Sequence, residues 1–129
     1  MTDVKILAID FGQKNIGLAV SNQNETIAFP HSVLTNDRQL LRNLEKIVST
    51  EGVEKIVLGE SLYKKNTKNN EQLIQFKQEL TQRLNLPIDC EDELLTSEAI
   101  RAIKPQTKKH RHDLAAMLIL EAYLKRKHN

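Results

Sequence analysis

Lys5-Ile6-Leu7-Ala8-Ile9-Asp10-Phe11-Gly12 is an apolar run that ends abruptly in a carboxylate and a glycine. After Gln13-Lys14-Asn15, a second apolar run follows, Ile16-Gly17-Leu18-Ala19-Val20. Two short β-like runs around so tight a connection predict a hairpin. Asp10 then sits at the carboxyl tip of a buried strand, beside a tight turn. An ionised carboxylate is costly to desolvate there without a partner. A catalytic or metal site has a use for it. So does an ordinary turn, where Asp and Gly are both common. Asp10 alone favours the turn, and the case for function depends on what else converges on it.

Outward from this hairpin, the first strand covers Val4 to Asp10 and the second Asn15 to Ser21. Asn22-Gln23-Asn24 is a turn, and Thr26-Ile27-Ala28-Phe29 reads as a third strand halted by Pro30. Three strands with tight turns make an antiparallel meander. Thr35 is the expected N-cap of a helix with Asp37 in its first turn. Leu40, Leu41, Leu44, Ile47 and Val48 share one face of that helix, and Gly52 stops it. Lys55-Ile56-Val57-Leu58-Gly59-Glu60 repeats the ending of the first strand, an apolar run closed by glycine and a carboxylate. Ser61 to Asn70 is polar and is expected as a mobile loop. A helix follows from about Glu71 to Leu84, broken at Asn85-Leu86-Pro87. Ile88-Asp89-Cys90 is a fifth strand running into Glu91-Asp92-Glu93. Thr96 or Ser97 caps a short helix, residues 104–112 form a basic loop, and Asp113 opens the last helix, which runs to about Lys127. That helix is apolar nearly all round from Leu114 to Leu120, so it is expected deep against the sheet.

A meander followed by α/β units predicts an α/β fold, a mixed sheet with helices on its faces. The 129 residues suit a single domain, 1–129, with one core. With 28% charged and 40% hydrophobic residues the chain reads as globular. A net charge of +2 is too mild to establish a nucleic-acid partner, so clustering has to decide. Cys90 is the sole cysteine, which excludes an internal disulfide and a cysteine-rich zinc site. Met1-Thr2-Asp3 leads straight into a strand too short to span a bilayer, and the expectation is a cytoplasmic protein without membrane attachment.

Strands joined through helices run parallel and end on one edge. If the fourth strand lies beside the first, the order reverses there, and ligands of open α/β sheets bind at such a switch point. Asp10, Glu60 and Glu93 each close a strand at that edge, and Asp113 starts the final helix, where the dipole also favours a carboxylate. Four acids converging on one edge repel each other unless cations are bound. Oxygen ligands without dedicated His or Cys suggest Mg2+ or Mn2+. Two such ions ~3.5–4 Å apart can activate water and stabilise the leaving oxygen in phosphodiester cleavage. Taken singly, Glu60 and Glu93 suit solvated loop edges, and Asp113 suits an acid beside an N-cap.

Three stretches carry a family resemblance. Asp10-Phe11-Gly12-Gln13-Lys14-Asn15-Ile16-Gly17-Leu18-Ala19-Val20-Ser21 resembles the opening motif D-x-G-x-K-R-I-G-x-A-x-S of the YqgF or RuvX family. Residues 91–99, Glu91 to Ala99, resemble its D-E-R-L-[TS]-T-x-E-A, and Asp113 to Leu124 resembles its D-x-x-A-A-x-x-I-L-Q-x-Y-L. The family comprises proteins described as pre-16S rRNA nucleases and as Holliday-junction-resolvase-like, with an RNase H-like fold. The resemblance spans the chain in order. It implies a five-stranded RNase H-like sheet, a divalent-metal nuclease, and a nucleic-acid partner, structured RNA or branched DNA, for a monomer or homodimer. The acids carry over as Asp10, Glu93 and Asp113. Glu60 takes the place of a catalytic glutamate in related junction resolvases, where it would add a ligand or share the metal with Glu93. Asn15 and Leu94 stand where the family has arginine, removing guanidinium groups suited to phosphate. Glu121 replaces a glutamine, and Gly59-Glu60-Ser61 replaces G-L-P.

Lys14 lies in the turn beside Asp10. Lys64, Lys65 and Lys68 follow Glu60, and Lys108, Lys109 and Arg111 precede Asp113. Three basic loops would thus rim one edge, as phosphate contacts or as ordinary solvated loops. The rivals to a nuclease are an inactive nucleic-acid-binding member of the fold, a phosphotransferase of the actin type, and a structural module in ribosome assembly. The phosphotransferase needs two such domains around its nucleotide, and this chain has room for one.

Overall fold

The apolar run of β1 (Lys5–Asp10) is continuous because both of its faces are covered. Leu7 and Ile9 enter one buried cluster, and Ile6 and Ala8 enter another on the opposite side of the sheet. The computed structural model describes residues 5–60, 67–92 and 111–127. Within them, β2 (Asn15–Ser21) and β3 (Ala28–Thr35) complete an antiparallel meander with β1, and β4 (Val53–Glu60) and β5 (Ile88–Asp92) add parallel to its other side. The order is β3-β2-β1-β4-β5, so the strand order reverses between β1 and β4, as expected.

Helices α1 (Leu40–Glu51) and α2 (Thr67–Leu84) cover the first face, where Leu44, Phe76 and Leu80 meet Leu7, Ile9, Leu18, Ile56 and Leu58. Helix α3 (Arg111–Lys127) covers the second, where Ala116, Ile119, Leu120, Tyr123 and Leu124 meet Ile6, Ala8, Ala19 and Val57. Each fully buried Leu or Ile contributes about 1.5–3 kcal/mol, so the two faces together account for most of the drive to fold.

Several expectations need correction. Pro30 does not halt the third strand: β3 runs through it, with Pro30 paired to Ala19. β3 is an edge strand, which tolerates a residue without N–H. The register moves from Leu18–Ser32 to Ala19–Pro30, so His31 is the extra residue of a bulge. Thr35 is therefore the end of β3, not a helix cap. The approach to α1 is closed by Asp37, whose Oδ1 accepts the Gln39 N–H at 2.9 Å. Gly52 does end α1, at φ 72°, and its N–H donates to the Val48 carbonyl at 3.0 Å. α2 begins at Thr67 rather than Glu71, taking four residues from the expected loop, and α3 begins two residues before Asp113. The short helix expected after Thr96 or Ser97 lies outside the described residues. Among the described residues no helix is long and apolar enough to cross a membrane.

Candidate active site

The strand register sets Gly17, Asp10, Gly59 and Glu91 side by side across β2, β1, β4 and β5. Alternation along β1 gives Asp10 the same face as Ile6 and Ala8, the side covered by α3. The residues beside Asp10 are the ones without side chains. A Cβ on Gly17 would lie 1.9 Å from the His112 carbonyl oxygen and 3.0 Å from the Asp113 nitrogen. A Cβ on Gly59 would lie 2.4 Å from Ile119 Cδ1. The gap at Gly17 lets the first turn of α3 settle onto the carboxyl edge of the sheet, directly over the position that pairs with Asp10, and the gap at Gly59 admits Ile119 from further along the helix.

Asp10 and Asp113 therefore flank Gly17, one through the β-ladder and the other through the helix–sheet contact. Asp10 is only 7% exposed. Asp113 lies in the first turn of α3, where the helix dipole favours a negative charge. Its Oδ1 is buried with no hydrogen-bond partner among the described residues. A buried carboxylate oxygen without a partner is unfavourable, and a bound cation satisfies it. The donor set, two hard carboxylates at a strand end and a helix start, fits Mg2+ or Mn2+.

Among the described residues no three His, Cys, Asp or Glu side chains gather around one point. Glu93 lies outside the described residues, as do Lys64, Lys65, Lys108 and Lys109. Glu60 is placed by its backbone alone: it follows Gly59 in β4 and pairs with Asp92, so Gly59, not Glu60, stands opposite Asp10. Lys68 lies in the first turn of α2 and Arg111 is the first residue of α3, again by backbone. Lys14 is exposed in the β1–β2 turn, where its carbonyl accepts the Asn36 N–H at 2.9 Å.

The family model described as "RuvX: Holliday junction resolvase" matches residues 4–126. The chain belongs to the RuvX family. A relative from Maridesulfovibrio salexigens named "Putative pre-16S rRNA nuclease" is 35% identical, over 95% of this chain and 99% of its own. One of the same name from Malacoplasma penetrans is 32% identical over 93% of each chain. Among solved structures, T. thermophilus RuvC in complex with a Holliday junction substrate superposes with a TM-score of 0.64 at 13% identity, covering 96% of each chain. The Fowlpox virus resolvase bound to Holliday junction DNA superposes at 0.62 and 12% identity, covering 98% of this chain and all of that one (100%). The fold of this RuvX family member is thus RNase H-like.

Sequence reasoning puts its weight on Glu93 and passes over Glu91, which lies in the same lateral row as Asp10. Its side chain is 10% exposed and its Oε2 lies 2.9 Å from Arg126 Nη2, as an ion pair without hydrogen-bond geometry. The period-two spacing of Asp89 and Glu91 is the signal, since both meet α3. Lys127, the last residue of α3, reaches Glu25 at 3.0 Å. Asp89 Oδ2 accepts the Tyr123 hydroxyl at 2.6 Å and pairs with Lys55 Nζ at 3.0 Å. The Tyr123 hydrogen bond, with Lys55 next in weight, holds the Asp89 carboxyl below the usual carboxylate range. The hydrogen bond to Tyr123, and then Asp89, holds the Lys55 ammonium above its ordinary value. Asp89 thus contributes stability that is present above its unfolded pKa and is lost as pH falls through the lower folded value. Its side chain is 48% exposed, so solvent screens much of the effect. Asp89→Asn is expected to flatten the acid limb of a melting-temperature profile by a small margin and to leave the neutral-to-alkaline limb close to parallel. An unchanged acid limb refutes this role.

Proposed function

We propose that this RuvX family member hydrolyses phosphodiester bonds in nucleic acid with Mg2+ or Mn2+, and that it trims the 5′ end of pre-16S rRNA. The observation that carries the reading is the Gly17 contact. It brings Asp113, with its unpartnered buried oxygen, against the cross-strand partner of Asp10. Family membership and the names of the relatives support nuclease chemistry and rRNA as substrate.

Asp10 and Asp113 are the proposed core of the metal site, with Glu93 and Glu60 as further ligands. When bound, the divalent ion polarises the scissile phosphate and acidifies the attacking water. The chain supplies the rest. β1 and α3 are rigid, buried elements, so both carboxylates are held with little freedom to lose on binding. Lys14, Lys64, Lys65, Lys68, Lys108, Lys109 and Arg111 are the proposed phosphate contacts around that edge. They act mainly by neutralising charge. The chain works in the cytoplasm as a monomer or homodimer in this reading.

A second reading, Holliday junction resolution, is favoured by the family description and by the junction complexes among the structural neighbours. A cleavage panel separates the two. Purified protein is incubated with a pre-16S rRNA fragment, a four-way DNA junction and single strands, with Mn2+, Mg2+ or EDTA. The expected result is metal-dependent cleavage of the rRNA fragment, abolished by EDTA. Preferential cutting of the junction selects resolvase activity. Binding without cleavage of any substrate makes the chain an inactive binding member of the fold.

A further inference from the structure

Phe11 directly follows Asp10, and its ring belongs to the opposite face of the sheet, packed against the core beneath α1 and α2. There it stacks on Phe76 of α2, with ring centroids 4.6 Å apart and planes inclined by 30°. A cleft of about 550 Å3 opens at this pair, between the β1–β2 turn, the turn leading into α1, and α2. That volume lies within the ~300–1,000 Å3 of ordinary small-ligand sites.

The chemistry of the lining selects an occupant. Phe11 is half-buried, and it borders the cleft with an aromatic surface. Gln13, Gln72 and Gln75 line the walls with amides, each carrying both donor and acceptor groups. Among the described residues the charged lining is Arg38 against Asp37 and Glu79, so there carboxylates outnumber cations. That balance disfavours a phosphate. It suits a flat heterocycle whose exocyclic amino groups donate to carboxylates and whose ring stacks on an aromatic side chain. The adjacent residue, Asp10, belongs to the proposed cleavage site on the other face of the same strand end.

Resting on the nuclease reading above, we infer that the cleft takes one unpaired base of the nucleic-acid strand whose backbone lies at Asp10. The strand crosses the carboxyl edge of the sheet at the end of β1. Its phosphate faces the Asp10–Asp113 side, and a neighbouring base turns into the Phe11 cleft. The site thereby selects single-stranded or frayed substrate beside the cut, since a paired base is not available to it.

The test uses the full chain and a fluorescein-labelled single-stranded oligoribonucleotide of mixed sequence, carrying one abasic position moved along it, with a deoxyribonucleotide arm alongside. Affinity is read by anisotropy without divalent metal, and cleavage is read separately with Mn2+. The expected result is one abasic position that weakens binding by roughly fivefold to a hundredfold, the range of base–aromatic stacking. Phe11→Leu keeps the apolar packing and removes the ring. Gln72→Ala changes an exposed side chain outside the core. Both should weaken the intact strand, and Phe11→Leu should also erase the abasic penalty at that position. Equal binding of all abasic strands, an abasic penalty that persists in Phe11→Leu, or no binding of the strand at all overturns the assignment. Position-dependent binding with no cleavage of this strand or of any substrate in the panel above keeps the base site and sinks the nuclease reading. Cleavage without any abasic effect does the reverse. A penalty confined to the RNA arm assigns the site to RNA, and a penalty in both arms assigns it to the base alone.

Discussion

Asp10→Asn is expected to abolish cleavage while the chain remains folded and bound to nucleic acid. Asparagine keeps the size and one oxygen of the side chain but removes its charge. A hard divalent cation then loses much of its attraction at the centre of the proposed site. Metal contributions to such reactions amount to several kcal/mol, and each ~1.4 kcal/mol is tenfold in rate, so cleavage should fall by at least roughly a thousandfold at matched metal concentration. Stability should move the other way. Asp10 is 7% exposed, and an ionised carboxylate is costly to bury, so a neutral amide of the same size should leave the melting temperature without metal level or raise it. Adding Mn2+ should raise the melting temperature of the wild type and not that of the variant. Equal cleavage by both proteins removes Asp10 from the catalytic centre. An unfolded variant shows instead that the carboxylate serves the strand, as an ordinary turn residue would.

The hairpin around Asp10 was legible because its signals are local. The second strand, Asn15–Ser21, falls where its apolar run predicts, and the meander with two parallel strands follows from the same runs. Expectation and structure part where a position in the sheet overrides a residue's local preference. Pro30 breaks a central strand but not an edge strand, and nothing local says that β3 is the edge. Thr35 looks like a cap because Thr favours both caps and strand ends, and only the pairing with Asn15 assigns it to β3. Glu91 was hidden for a similar reason. In a run of three acids, only the strand alternation against α3 separates it from Asp92. The pairing of Asp10 with Gly17 could be read from the hairpin. The approach of α3 could not, because Gly17 and His112 lie far apart in the chain. Glycines in a strand mark a close approach without naming what approaches.

That approach yields the second large effect. Gly17→Ala puts a methyl group 1.9 Å from the His112 carbonyl oxygen and 2.3 Å from its carbonyl carbon. Both atoms are backbone, so no rotamer change relieves the clash, and α3 must lift from β2. The helix carries Ala116, Ile119, Leu120, Tyr123 and Leu124 into one of the two cores, so lifting it loosens that whole face. Overpacking of this kind costs about 1–3 kcal/mol and more where the backbone cannot yield, which is a fall of roughly 10 °C in a domain of this size. Two other glycines serve as controls. At Gly59 the obstructing atom is Ile119 Cδ1, the end of a flexible side chain, and the loss should be smaller. At Gly52 nothing lies within 4 Å, and only the left-handed backbone at φ 72° is strained by Ala, at about 1 kcal/mol. The expected order of destabilisation is therefore Gly17, then Gly59, then Gly52. The activity profile should differ from the stability profile. At a temperature where all three variants are fully folded, Gly17→Ala moves Asp113 away from Asp10 and should lose most metal-dependent cleavage, whereas Gly52→Ala should keep it. A Gly17→Ala variant with wild-type stability and wild-type cleavage removes the helix–strand contact as the device that assembles the site.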